Sequence, residues 1–262
     1  MKARKLFVIS LAVICSLAVL LSLFFIFSIK DVKTTYTVTE GCSVKEIEET
    51  LNSYQKKNLL FLDVDDVKAD LAKHPYFEIV SIEKDFPNVL NVVLKERREV
   101  FTLSIQNTVY ILDKTGFVLN SLDKQTFDVA YADKQLIEIT LLGIKAKNVS
   151  IGSVVETDDQ ALFTAMLDMA SAVQYTDTVN KVEISNLIEG QVSKDFNFTS
   201  FQTNTGVVIR IVKAQDRGVQ KINNAMQKYY TGTDYDKARG VIESSYIDED
   251  SGGGPYVHWD KN

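Results

Sequence analysis

His74 and His258 are the only imidazoles in this 262-residue chain, so zinc ligation or a histidine-assisted nucleophile would have to draw on them. A zinc site gathers four nitrogen and sulfur ligands at characteristic spacings. Neither histidine has a second histidine or a cysteine at such a spacing. His74, followed by Pro75, suits a helix end instead. Asp63-x-Asp65-Asp66 has the look of a calcium loop but lacks the glycine and the distal glutamate that such a loop needs. A pair of helix-capping aspartates is the better fit. A serine nucleophile needs a base and a sharp strand-to-helix turn, and neither histidine stands beside one. Carboxylates are plentiful but carry no positional signature of glycoside chemistry. The chain reads as a non-enzyme with no metal and no cofactor implied.

Charge and cysteine usage narrow the classes further. A formal net charge of -6 argues against a nucleic-acid binder, which would show a basic face. Cys15 lies inside an apolar run and Cys42 outside it, so the two cannot pair, and no disulfide framework supports the fold. The sequons at Asn148 and Asn197 matter only in a glycosylating host. The run Glu96-Arg97-Arg98-Glu99 reads either as a solvated strand end or as an inter-domain hinge. Met226, Tyr229 and Tyr230 read as core, with a partner surface as the other reading.

The elements that must position these groups begin with a membrane anchor. Residues 6–29 hold no charge and, as a helix, would reach roughly 36 Å, enough to cross a hydrocarbon core of about 30 Å. Lys2, Arg4 and Lys5 precede the run without an acid, which places residues 1–5 in the cytoplasm and everything after about Lys30 outside. The run is longer than a signal-peptide core and ends in Phe24, Phe25, Ile26 and Phe27, which suits no cleavage site.

Beyond the anchor the pattern is β-α-α-β-β. A strand over 34–38 precedes a helix opened by a Ser43-x-x-Glu46 capping box, with Val44, Ile47 and Leu51 on one stripe. Asp63 or Asp65 caps a second helix carrying Val67 and Leu71. Strands follow over 77–85, with Val80 and Ile82 on one face, and over 89–95, with Leu90, Val92 and Leu94 on one face. The next block is strand-rich: 100–105, 109–113, 117–121, 135–142, 179–185, 196–203, 206–212 and 240–246. A helix over 158–175 and a last helix capped by Asp216, with Val219, Ile222, Met226 and Tyr229 on one face, interrupt it. The fold class is α+β: one transmembrane helix (6–29), a small domain (33–99), a mixed and mainly antiparallel β domain with two helices (100–247), and a tail (248–262).

Several short segments carry a family resemblance. They are Ser43-Val44-x-Glu46-Ile47, Asn58-Leu59-Leu60-Phe61-Leu62-Asp63, Pro75-Tyr76-Phe77, Lys84-Asp85-Phe86-Pro87-Asn88-x-Leu90 and Lys95-Glu96-Arg97. Ile111-Leu112-Asp113-x-x-Gly116-x-Val118-Leu119 follows them. In this order, directly after a single anchor, they resemble the POTRA and β domains of the FtsQ/DivIB cell-division family. Glu99 stands where that family commonly has proline, and Lys84 where it has arginine. The resemblance implies a POTRA domain over 33–99 and a non-catalytic, single-pass scaffold at the division septum that organises septal peptidoglycan synthesis. It also implies partners that are single-pass division proteins of the FtsL and FtsB/DivIC types. A single-POTRA export accessory protein and, less favoured, an anchored cell-wall enzyme are the competing readings.

A strand-rich domain has edges whose free N–H and C=O groups can take a strand from another chain. The resemblance points to the late strands. The candidate partner-binding residues are Val207, Ile209, Ile211, Val241, Glu243 and Tyr246, and the candidate hinge residues are Glu96, Arg97, Arg98 and Glu99.

Overall fold

A computed structural model describes residues 2–37, 44–173, 178–188, 190–193, 196–233, 239–246 and 255–260. The chain divides into two compact units, residues 1–97 and 98–262.

The first unit opens with helix α1 (Lys2–Ile26). Its stretch Phe7–Ile26 is long and apolar enough to cross a bilayer, and its side chains are exposed along its whole length. The hydroxyls of Ser10, Ser16 and Ser22 each donate back to a carbonyl three or four residues earlier, so these three polar groups are satisfied within the helix. Strand β1 (Asp31–Thr37) follows, then helices α2 (Lys45–Asn52) and α3 (Val64–Leu71) and strands β2 (Phe77–Asp85) and β3 (Val89–Glu96). The sheet order is β1-β3-β2, with β1 parallel and β2 antiparallel to β3. The expected β-α-α-β-β order stands.

Leu90, Val92 and Leu94 of β3 are fully buried against Ile47, Leu51, Val67 and Leu71 of the two helices. Asp63 caps α3 by accepting from the Asp65 N–H at 2.9 Å. Val44 occupies the N-cap of α2 without a side-chain cap, and Ser43 lies outside the described residues. One face assignment changes. A bulge between Ile79 and Ser81 shifts the alternation of β2, so Val80 points out, and Ile79 and Ile82 pack on the core.

The second unit is built on a nine-stranded sheet with helices against it. In chain order it comprises β4 (Phe101–Ile105), β5 (Thr108–Leu112), β6 (Val118–Asp123), α4 (Lys124–Ala130), β7 (Ile137–Leu142), β8 (Ala146–Asn148), β9 (Glu156–Thr157) and α5 (Gln160–Val173). Then come β10 (Val179–Ser185), β11 (Leu187–Ile188), β12 (Gln191–Val192), β13 (Phe198–Thr203), β14 (Val208–Val212), α6 (Gly218–Thr231), β15 (Val241–Tyr246) and β16 (Pro255–Asp260). The large sheet runs β16-β15-β14-β13-β10-β7-β4-β5-β6. It is antiparallel except where β4 meets β7, β7 meets β10 and β14 meets β15.

One face of the sheet is apolar: Phe101, Leu103, Ile139, Val182, Ile184, Phe201, Ile209 and Ile242 pack with Leu162, Phe163 and Met166 of α5 and Ile222 and Met226 of α6. The Asp113 turn explains a motif seen in the sequence. Its buried carboxylate accepts from the Thr115 N–H and hydroxyl at 2.7 and 2.6 Å and from the Phe117 N–H at 3.0 Å, closing the β5–β6 connection. Gly116 follows at φ +78°, with Leu167 and Phe163 where a side chain would stand.

Two helices depart from the sequence expectation. Helix α4 is additional, capped by Asp123 through the Thr126 N–H at 2.9 Å. It is seven residues long with no buried side chain, so no apolar stripe announced it. Asp216 does not cap α6: Arg217, at φ +51°, holds the N-cap, and Asp216 instead faces Lys221 at 3.5 Å. Val219 accordingly turns outward, and Gly218, Lys221 and Ala225 join the buried side.

Tyr54 links the helices of the first unit. Its buried hydroxyl donates to the Asp70 carboxylate at 2.5 Å and to the Asp66 carbonyl at 3.2 Å. Burial, and then the Asp70 hydrogen bond, push the phenol well above its ordinary value of 10.0. Below about pH 10 the phenol is neutral in both states and the bond's stabilisation is fully present. Above that pH the unfolded chain ionises first, so stability falls. Tyr54→Phe should therefore lower stability by about 1.5–3 kcal/mol at neutral pH. It should also flatten the decline in stability above about pH 10. Urea titration of the full chain in detergent, followed through amide exchange in the α2–α3 unit, measures both.

Candidate partner-binding edge

The sheet of the second unit ends, among the described residues, in β16 at one side and β6 at the other. The late-strand candidates all lie near the β16 side. Strand β14 sits between β13 and β15, with Ile209 opposite Phe201 and Ile242, and Ile211 opposite Thr199 and Ser244. Val207, Ile209 and Ile211 are fully buried in the core. Their part at this edge is thus to fix β14, the strand on which β15 is laid. Val241 and Glu243 are half-buried, and Glu243 pairs with Arg210 of β14 at 3.9 Å. The side chain of Tyr246 lies outside the described residues, and its backbone pairs with Pro255.

Strand β15 is not the last of the sheet. Pro255–Asp260, which the sequence placed in a tail, runs antiparallel to it, with Glu243 opposite His258 and Ser245 opposite Tyr256. The side chains of β16 alternate. Val257 and Trp259 pack against the core, while Tyr256, His258 and Asp260 are exposed. The Tyr256 and His258 rings stack nearly parallel, 6.2 Å apart. An exposed aromatic pair on an outermost strand offers both backbone groups and apolar area to an incoming segment. Proline at Pro255 removes one N–H from this strand, so pairing must use the residues after it.

Lys221 braces the inner side of this edge. It is buried, and its ammonium donates to the Val212 and Lys213 carbonyls at 2.9 and 3.2 Å. Burial lowers its pKa, and Asp216 opposes that shift. A lysine on the apolar side of an amphipathic helix reads as polar in sequence. Its role appears only once the end of β14 is placed beneath it.

The remaining candidates fall elsewhere. His74 bridges helices: its Nε2 lies 3.1 Å from the Thr50 hydroxyl and its Nδ1 3.8 Å from Glu46. Among the described residues no three His, Cys, Asp or Glu groups come together as a metal site. Asn197 is buried, its amide donating to Gln215 and accepting from the Ala214 N–H, so its sequon is not presented to solvent. The four residues Glu96, Arg97, Arg98 and Glu99 straddle the boundary between the two units, which falls between Arg97 and Arg98. The Arg97 N–H donates to the Tyr76 carbonyl in the first unit. Glu99 accepts from the Tyr131 hydroxyl and the Lys134 ammonium, both at 2.7 Å, in the second. Of the aromatic candidates on α6, Met226 and Tyr229 are core and Tyr230 is half-exposed.

An apolar helix of membrane length leads into a β-α-α-β-β unit, the element order of a POTRA domain, and then into a large mixed sheet. Residues 37–97 match the family model described as "POTRA domain, FtsQ-type". The chain is 25% identical to the cell division protein DivIB of Clostridium acetobutylicum over 163 residues, 60% of this chain and 61% of that one. It is 24% identical to the DivIB of Clostridium tetani over 164 residues, 63% of this chain and 57% of that one. For a DivIB of Clostridium botulinum the identity is 22% over 192 residues, 72% and 68%. The first two matches thus span about 61% and 57% of those relatives' lengths. Residues 37–97 thus carry an FtsQ-type POTRA domain, in a chain that is similar to DivIB cell division proteins.

Gly232 ties α6 to the edge. A Cβ there would stand 2.6 Å from the Trp259 ring, closer than packed atoms tolerate. Gly232→Ala should therefore push Trp259 outward and loosen β16. Trp259 is the sole tryptophan, so its emission should shift to the red and become more sensitive to acrylamide while the far-UV spectrum is kept.

Proposed function

We propose that this protein is a non-catalytic bitopic scaffold of the bacterial division machinery. Residues 1–5 are cytoplasmic, α1 lies in the cell membrane, and both folded units are outside, gathered at the division septum. There the second unit holds other single-pass division proteins of the FtsL and FtsB/DivIC types and so organises septal peptidoglycan synthesis. The observation that carries this reading is the FtsQ-type POTRA match in a chain whose relatives are DivIB division proteins. The edge that β16 forms among the described residues supplies the mechanism, since strand addition needs no catalytic residue. In this reading the partner's segment pairs beside β16, on a platform set by Val241 and Glu243 of β15 and by the buried residues of β14. The Glu96–Glu99 segment orients the two units.

Binding should depend on the backbone ladder and on the exposed ring of Tyr256. Glu243→Pro should remove a ladder donor and abolish capture of purified FtsL-type and DivIC-type partner domains by the full chain. Tyr256→Ala should weaken it about five- to thirtyfold, the range of a loss of about 1–2 kcal/mol at an aromatic anchor. Undiminished capture by both variants would remove the edge from the proposal. A fluorescent fusion should gather at midcell, and a uniform membrane distribution would argue against the divisome role itself.

A further inference from the structure

The last turn of α1 does not hang free above the first unit but is built into it. The Asn58 side chain donates to the Phe24 carbonyl at 3.1 Å, and the Leu59 N–H donates to the Phe27 carbonyl at 2.6 Å. Ile29 then exchanges backbone bonds with the same connector: its N–H donates to Lys57 at 2.8 Å and its carbonyl accepts from Lys56 at 2.9 Å. Ile29 is buried in the core of the unit. The Phe27 ring meets Phe86 edge-on at 5.8 Å. The Asn58 carboxamide also accepts from the Leu60 N–H at 3.0 Å, which fixes the start of an outward loop.

This seam sets depth. The apolar stretch Phe7–Ile26 is 20 residues long, about 30 Å as a helix, and so just fills a hydrocarbon core. Phe24 therefore lies at the outer limit of the acyl region, and the atoms bonded to it lie at the boundary with the headgroups. At that level the unit shows its largest solvent-facing apolar side chains: Phe61 is 78% exposed, Phe86 52% and Leu60 45%. The one other exposed large apolar side chain of the unit's described residues beyond α1 is Val80, at 58%, turned out by the β2 bulge. Lys30, Lys56 and Lys57 flank them and are exposed, as amphipathic side chains at a headgroup layer are.

We propose that Leu60, Phe61 and Phe86 form a lipid-contacting surface that seats the POTRA domain on the outer leaflet of the bilayer. The occupant is the acyl–headgroup boundary itself, reached because the surface is continuous with the membrane helix. The domain is then held by two attachments, one covalent through α1 and one by burial of these rings, and its tilt relative to the membrane is restricted.

The inference rests on α1 spanning the membrane, and the experiment separates the two. The full chain carrying Trp259→Phe and Phe61→Trp is reconstituted alone into vesicles of phosphatidylethanolamine and phosphatidylglycerol. Tryptophan at residue 61 should emit at blue-shifted wavelength, lose most of its emission to phospholipids brominated near the top of the acyl chain, and resist aqueous acrylamide. Red-shifted emission quenched by acrylamide, in a chain that stays with the vesicles after alkaline extraction, would overturn the lipid surface and leave the anchor standing. It would also mean that any cover for Phe61 comes from another protein. Release of the chain into the alkaline supernatant would overturn the anchor and the lipid surface together.

Discussion

A helix that leaves hydrocarbon must satisfy its last carbonyls before it reaches water, because nothing in the acyl region can do so for it. In this protein the carbonyls of Leu23 and Phe25 are met by the N–H groups of Phe27 and Ser28, and those of Phe24 and Phe27 by Asn58 and Leu59. Half of the cap thus comes from a connector some thirty residues downstream. The first unit inherits its placement from this: the 56–62 connector must reach α1, which pins α2 and α3, and β1 begins from a backbone already paired. Lys84 closes the same connector from the other side by donating to the Leu62 carbonyl at 2.6 Å. The cation of the turn before Phe86 and Pro87 therefore serves the connector rather than a ligand.

The second unit obeys a different constraint. A single large sheet buries one face beneath α5 and α6 and ends, among the described residues, at β16 and β6. The opposite face carries half-exposed ion pairs such as Arg210 with Glu243 and Lys181 with Glu138, which contribute little to stability but keep that face soluble. The strand addition we propose fits such an architecture, because it would use the backbone groups of an edge strand.

Much of this was legible in the residues. The order β-α-α-β-β, the buried row Leu90, Val92 and Leu94, and the Asp63 cap follow from alternation, helical spacing and capping chemistry, which are local. What failed was also physical. Val80 alternates correctly in sequence, but one bulged residue turned it outward, and a bulge depends on the partner strand. Asp216 is a good helix cap by type, yet buried Lys221 lies within 3.5 Å of it and the cap passes to Arg217.

The candidate edge divides in the same way. Alternation in residues 206–212 and 240–246 was sufficient to identify β14 and β15, and the anchor's length and flanking charge were sufficient to suggest how the chain meets a membrane. Strand order was not available, because it is set by contacts between residues far apart in the chain. Only the tertiary structure shows that Ile209 and Ile211 face the core, that Pro255–Asp260 covers β15, and that Trp259 rests against Gly232. It alone shows that the connector before Leu60 and the ring of Phe86 both reach the end of the helix at Phe27. Local periodicity determines which segments become strands and helices, whereas which surfaces remain uncovered depends on where distant segments pack.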